Sequence, residues 1–187
     1  EVTGDLFCTT RLRVRSRHNA GNPDEPPNRR FTLAGIFAHV PRGANYRGAP
    51  DPYTSWRQLG AVQESDGIYS CDLGRTDPLD CLGHFAGFPA LPVSIMTRAA
   101  IQLTAEAFRR STGRRDAQIR VVAGEAETLA FVFAHQRATL SVRRVGRSAD
   151  SGAERWVSEV HGPAGLAARI ELAIEARWPR VSGLQLS

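Results

Sequence analysis

The stretch 80-DCLGHFAGFPALP-92 sets Asp80 four residues ahead of His84, among glycines, prolines and aromatics. A carboxylate and an imidazole this close in sequence are the parts of acid/base or nucleophilic chemistry. The first can take a proton or attack a carbonyl, and the second can pass a proton or orient a substrate. Downstream, Ser94, Arg98, Gln102 and Glu106 recur every fourth residue, so on a helix they share one face. Arginine keeps its proton in a protein, so Arg98 cannot be a base. It can hold a carboxylate such as Asp80 or Glu106, or polarise a carbonyl. Plainer roles are also open: Asp80 bonding the backbone of its own turn, and Arg98 closing an internal polar network with Gln102. Backbone N–H groups at the start of a helix at Val93, or at 85–87, would suit a developing oxyanion, because helix N-termini favour negative charge.

The elements that must position these residues follow from patterning. Pro89 and Pro92 lead into one long helix, about 93–110, apolar almost all the way round through Val93, Ile95, Met96, Ala99, Ala100, Ile101, Leu103 and Phe108. Such a helix must be buried, wrapped by a sheet. Its end is marked by Ser111, Thr112 and Gly113. Before the motif, two apolar runs flank QESDG, whose Asp66-Gly67 favours a hairpin turn. After the helix everything reads as strand: 117–123, 128–136, 139–145, 156–160 and 166–176, with 146–154 as a hairpin tip. The first fifty residues hold two β-like runs, 6–15 and 31–40, separated by the turn-rich NAGNPDEPPNRR. The fold class is therefore α+β, an antiparallel sheet around one central helix, with an N-terminal β extension. The expected division is 1–55 as extension packed on the main domain, 56–180 as that domain, and 181–187 as tail.

Bulk composition narrows the function classes. The 187 residues are 42% hydrophobic and 23% charged, an ordinary globular balance. No apolar run approaches the roughly 18–20 residues that span a bilayer, so no membrane role is expected. The net charge is +5, and all 24 basic residues are arginine, which suits phosphate-bearing ligands. Aromatics are only 7% and do not interleave with basic residues, which argues against nucleic acid. Cys8, Cys71 and Cys81 are odd in number and lack C-x-x-C spacing, so neither a disulfide framework nor a metal site is expected. A reduced, cytoplasmic setting is the default. The chain opens at Glu1 without Met, which leaves room for a trimmed leader or partner segment, and EVTGDLF carries no signal-peptide pattern.

Strands wrapping one apolar helix suggest the hotdog fold, and 83-GHFAGFPALP-92 resembles the GHFPGxPxxPG motif of the β-hydroxyacyl-ACP dehydratases. Gln102, ten residues past Pro92, falls where those enzymes carry a helix glutamine. The resemblance covers 59–176 as a fold pattern and is motif-specific only over 83–102. It departs at one telling place. Where the dehydratases carry a helix carboxylate, fourteen residues after the motif histidine, this chain has Arg98, and the Gly after the last motif Pro is Val93. The left half, 80-DCLGH-84, resembles the D-x-x-G-H pattern of acyl-CoA thioesterases of the 4-hydroxybenzoyl-CoA type, in which an Asp near this turn attacks the thioester or activates water.

These resemblances imply an acyl-CoA thioesterase with Asp80, His84, Arg98 and Gln102 as catalytic residues. Gly83, Phe85, Gly87, Phe88, Val93, Ser94 and Thr97 would bind substrate. Thioester hydrolysis asks little of its catalyst, since a thiol with a pKa of about 8.5 leaves without a strong acid. Acyl-CoA or acyl-carrier protein would be the partner, with coenzyme A entering only as part of the substrate and no cofactor or metal. A homodimer with sites at the shared interface is implied, His84 of one chain meeting Arg98 of the other. The arginines Arg109, Arg110, Arg114 and Arg115 could grip phosphates, or simply favour a helix C-terminus. Trp56, Trp156 and Trp178 read as packing, and His18, His39, His135 and His161 as structural or surface. A specialised natural-product pathway fits the lost carboxylate. Two other readings stay open: a divergent β-hydroxyacyl-CoA/ACP dehydratase or hydratase with its acid elsewhere, for instance Glu106, and a non-catalytic acyl-binding domain.

Overall fold

The computed structural model describes residues 57–81 and 90–177, together with the backbone of 12–16. In chain order the elements are β1 (Leu12–Ser16), β2 (Gln63–Ser65), β3 (Ile68–Arg75), a 3-10 turn (Pro78–Cys81), α1 (Val93–Thr112), β4 (Gln118–Thr128), β5 (Arg137–Arg147), β6 (Glu154–Gly162) and β7 (Gly165–Arg177). The strand expected over 6–15 is represented by β1. The one expected over 31–40, with Cys8, His18, His39, Trp56, Trp178 and the tail, lies outside the described residues.

The strands form one sheet in the order β1-β4-β7-β6-β5-β3-β2. Six of them pair antiparallel, while β1 joins the β4 edge in parallel, from Leu12 against Gly124 to Ser16 against Thr128. The expected hairpin is present: Asp66 and Gly67 take φ of 52° and 74°, the paired left-handed conformation that a two-residue turn between twisted strands requires. Period-two alternation places every second residue under the helix. Register then aligns Cys71, Leu140, Val160 and Ala168 in one row across β3, β5, β6 and β7, and Tyr69, Val142, Ser158 and Ile170 in the next. Apart from Ser158 these residues belong to the apolar core beneath α1.

α1 forms because 93–112 is rich in Ala, Leu, Met, Gln, Glu and Arg, the residues that lose least on becoming helical. It stops at Gly113, whose φ of 68° allows its N–H to reach the Arg110 carbonyl (3.2 Å) while that of Arg114 reaches Arg109 (3.1 Å). Met96, Ala99, Ala100, Leu103 and Ala107 are buried among the strands. Trp156, 1% exposed, is packing, as expected.

One expected strand is not a strand. Residues 129–136 leave the sheet ladder and cross its end as a loop, with one isolated bridge between Ala90 and Phe133. The run LAFVFAH alternates well enough to pass for a strand, but β4 already extends to Thr128 through a register shift between Val121 and Ala123. The alternation serves another end: Val132 is fully buried while Leu129, Phe131 and Phe133 stay exposed.

Candidate functional site

The 3-10 turn that carries Asp80 is built by its neighbour. Asp77 accepts the Leu79 N–H on Oδ1 (2.8 Å), and its carbonyl accepts the Asp80 N–H (2.9 Å). The turn-capping role weighed for Asp80 therefore belongs to Asp77, and the Asp80 carboxylate is free to point elsewhere. It points at Arg57, whose Nη1 lies 2.5 Å from Asp80 Oδ2 with both side chains mostly buried. The other face of the same guanidinium donates to the Leu73 carbonyl at the end of β3, through Nη2 at 3.0 Å and Nε at 3.3 Å. One planar cation thus ties the turn to the sheet, a geometry that a lysine point charge could not reproduce.

Arg57 is itself held from the helix. Gln102 Nε2 donates to the Arg57 carbonyl at 2.9 Å. That bond fixes the orientation of the carboxamide and leaves Oε1 buried, with no hydrogen-bond partner among the described residues. Asp80 and Gln102, chosen independently from the motif and from the helix stripe, therefore meet through one intermediate residue. Sequence reasoning missed Arg57. No motif surrounds it, and the only available signal was that a half-buried carboxylate needs a cation, which any of 24 arginines could have supplied.

The strap 57–62 that carries Arg57 is fastened along its length. Gly60 N–H bonds the Asp72 carbonyl at 3.0 Å, and Arg110 Nη1 bonds the Val62 carbonyl at 3.1 Å. At Gly60 a Cβ would sit 2.8 Å from that Asp72 oxygen, so only glycine allows this approach. Leu59 and Val62 pack against the core.

The expected partnerships of Arg98 come out differently. Asp80 is paired with Arg57, and Glu106 with Arg110 at 2.8 Å. Glu106, named above as one acid that a divergent dehydratase could use, is thereby paired. Arg98 is half-buried one turn before Gln102 on the same face of α1. Ser94 and Thr97 are buried rather than exposed on that face, Thr97 with Oγ1 unpartnered, and Val93 packs at the edge of the core. His84, Gly83, Phe85, Gly87 and Phe88 lie outside the described residues.

The described residues on either side of the segment 82–89 meet the same loop. On its near side, Thr76 exchanges two backbone bonds of 2.8 Å with the crossing loop, one to the Gln136 carbonyl and one from the His135 N–H. On its far side Leu91 N–H bonds the Val132 carbonyl, again at 2.8 Å. The loop 129–136 is thus a shelf to which both flanks of the motif are fixed. Leu79 beside Asp80, and Phe131 and Phe133 on the shelf, are large apolar side chains left exposed.

Burial pushes the Cys81 thiol up to about 11, with the neighbouring Asp80 carboxylate adding to the shift. Burial does the same for Cys71, also to about 11. Neither is a nucleophile at neutral pH. Among the described residues no cluster of His, Cys, Asp and Glu could hold a metal ion, and no helix is long and apolar enough to cross a membrane. Two open clefts lie away from Asp80. One of about 470 Å³ is lined by Phe108, Arg114, Arg147 and Glu154 at the far end of α1, and one of about 330 Å³ by Gly124, Arg155 and Glu171 of β4, β6 and β7. Of the arginines considered for phosphate, Arg109 donates to the Ala117 carbonyl at 3.1 Å, and Arg110 is engaged as above.

No family model and no curated protein sequence matches the chain. Solved structures do. A thioesterase from Haemophilus influenzae superposes with a TM-score of 0.53 at 11% identity, over 80% of this chain and 92% of that one. A mutant thioesterase from Pseudomonas aeruginosa gives 0.51 at 14% identity, over 64% and 79%. The PaaI protein of the E. coli phenylacetic acid degradation operon gives 0.51 at 13% identity, over 63% and 82%. The fold is the hotdog fold, and at these identities the likeness is one of fold alone.

Proposed function

We propose that this protein is a thioesterase that hydrolyses acyl-CoA, with Asp80 as general base. The observation that carries the reading is the arrangement of Asp80, Arg57 and Gln102. Among the described residues, a half-buried carboxylate is held by one oxygen while Asp77 serves the turn, and a buried carboxamide oxygen on the helix lacks a donor. In this reading Asp80 takes a proton from water, and Gln102 Oε1 accepts the other hydrogen of that water and orients it. The water oxygen bonds to the thioester carbonyl carbon, and the carbonyl oxygen becomes an oxyanion. Its donors are the Val93 and Ser94 amides, which precede the first intrahelical bonds, those from Ile95 and Met96 to the Pro92 carbonyl. Collapse breaks the C–S bond, Asp80 returns its proton to the thiolate, and acid and thiol leave.

His84 and Arg98 would orient the acyl carbonyl, and Gly83, Phe85, Gly87 and Phe88 would line the thioester arm, His84 reaching Arg98 across a homodimer. The exposed Phe131 and Phe133 favour an acyl group of some bulk over acetyl. Cytoplasmic residence, coenzyme A only as part of the substrate, and a specialised natural-product pathway complete the reading. Purified protein given a panel of acyl-CoAs should release free thiol, read with a thiol reagent. Silence across the panel, bulky cyclic acyl groups included, would sink it.

A further inference from the structure

We infer that Arg57 is a positioning residue for the reaction, acting through Asp80 rather than on substrate, and that the 57–62 strap exists to place it. The inference rests on the thioesterase reading. Its geometry does not: three donor nitrogens of one guanidinium are divided between two tasks. Nε and Nη2 grip the Leu73 carbonyl and so lock the plane of the group to the end of β3. Nη1 is then the guanidinium nitrogen turned to Asp80, and it takes Oδ2 alone. An end-on contact of this kind leaves Oδ1 clear of Arg57, as the oxygen for a proton, and it fixes which way the carboxylate faces. A bidentate arginine would have occupied both oxygens and silenced the base.

The position of Arg57 is in turn set by main-chain bonds. Its carbonyl is tied to Gln102, three residues later Gly60 is tied to Asp72, and two beyond that Val62 is tied to Arg110. Gln102 therefore has two duties, one nitrogen holding the strap and one oxygen facing the water. The base and its water-orienting partner are referenced to the same residue, so a displacement of the strap moves both. Misplacement by about 1 Å at a reacting group costs on the order of a hundredfold in rate, which is the sensitivity the strap would protect.

The test uses the full chain and an acyl-CoA that the wild type turns over. Arg57→Gln should lower kcat by about tenfold to a hundredfold with KM within about twofold, since no substrate contact is lost. Arg57→Lys should recover part of the loss by restoring charge without the fork. In a double-mutant cycle, Arg57→Gln should add nothing to Asp80→Asn, because the arginine has no other route to the chemistry. Gly60→Ala, which must push the strap off Asp72, should depress kcat in the same direction with Arg57 itself intact. A loss carried by KM, or additive effects in the cycle, would overturn the inference. So would a lower melting temperature with unchanged kcat per folded molecule, which would mark Arg57 as a strut only. A harmless Asp80→Asn refutes the assigned base, seen in that single variant before the cycle is closed. A wild type inactive on every thioester refutes the thioesterase reading and the positioning role with it.

Discussion

At its C-terminal end α1 closes on Gly113 with both overlapping cap bonds made, Ser111 and Thr112 hydroxyls donating to the Phe108 carbonyl, and Arg109 donating to that of Ala117. At its N-terminal end it starts on Pro92 with no side-chain cap and no acidic residue in the first turn. There Thr97 Oγ1 is left without a partner among the described residues, as is Gln102 Oε1 further along the helix. Among the described residues the polar groups of the C-terminal cap are consumed by the fold, while those two are not. Unsatisfied buried polar atoms destabilise a protein by about 1–3 kcal/mol each; Thr76, Thr104, Trp156 and Ser158 carry others elsewhere in the core, so the contrast is one between the two caps of the helix. In the proposed reading the chemistry sits at the Pro92 end, and a separate cleft lies at the other. That cleft is lined by side chains with structural duties, Glu154 bridging Arg144 and Arg147.

Variants at the two ends should therefore separate rate from stability. The largest effect belongs to the open end: Asp80→Asn should cost about a hundredfold or more in kcat, the range of a general base, while the melting temperature stays close to wild type. Steady-state kinetics on the substrate found in the thiol-release screen, with a melting curve beside them, decide this. At the closed end, Gly113→Ala places a Cβ at a left-handed φ of 68° and should cost about 1–2 kcal/mol of stability, measured by urea unfolding, with kcat unchanged. A rate loss at Gly113, or a stability loss without a rate loss at Asp80, would erase the distinction between the ends.

The smallest effect is in pH. Cys71 and Cys81 titrate near 11 in the folded chain against a reference of 9.0. A raised thiol pKa contributes stability that is complete below the unfolded value and is lost as pH rises through the folded one. Unfolding free energy should thus show no thiol-linked change up to pH 9 and decline from there towards about 11. Alkylation of both thiols should stay slow in the folded protein until the upper part of that window.

Much of the scaffold was legible because it obeys one-dimensional rules. The helix period, the Asp66-Gly67 turn and the alternation of β3, β5, β6 and β7 each encode a local geometry. The run 129–136 broke the reading because alternation reports which side chains are buried, not what buries them. Val132 is buried against the end of the sheet, beside Gly162, rather than by alternation within a strand. Asp80 and Gln102 were found from resemblance and stripe spacing, yet what joins them was not. Arg57 stands 23 residues from one and 45 from the other, and a contact of that separation leaves no periodic trace. Asp77 was overlooked for a simpler reason: two aspartates stand in one turn, and the sequence does not say which serves the backbone.

The strap has a consequence for how this site tolerates mutation. Three bonds that hold it together, from Gln102 to Arg57, from Arg57 to Leu73 and from Arg110 to Val62, end on backbone carbonyls. Every amino acid supplies a carbonyl, so the receiving positions can drift in sequence without loosening the assembly. Only the donors can be deleted. The genetic vulnerability of the arrangement is thereby concentrated in Arg57, Gln102 and Arg110, with Gly60 as the one strap position that steric contact also fixes, and a diverging relative could change the rest of the strap while preserving its grip on Asp80.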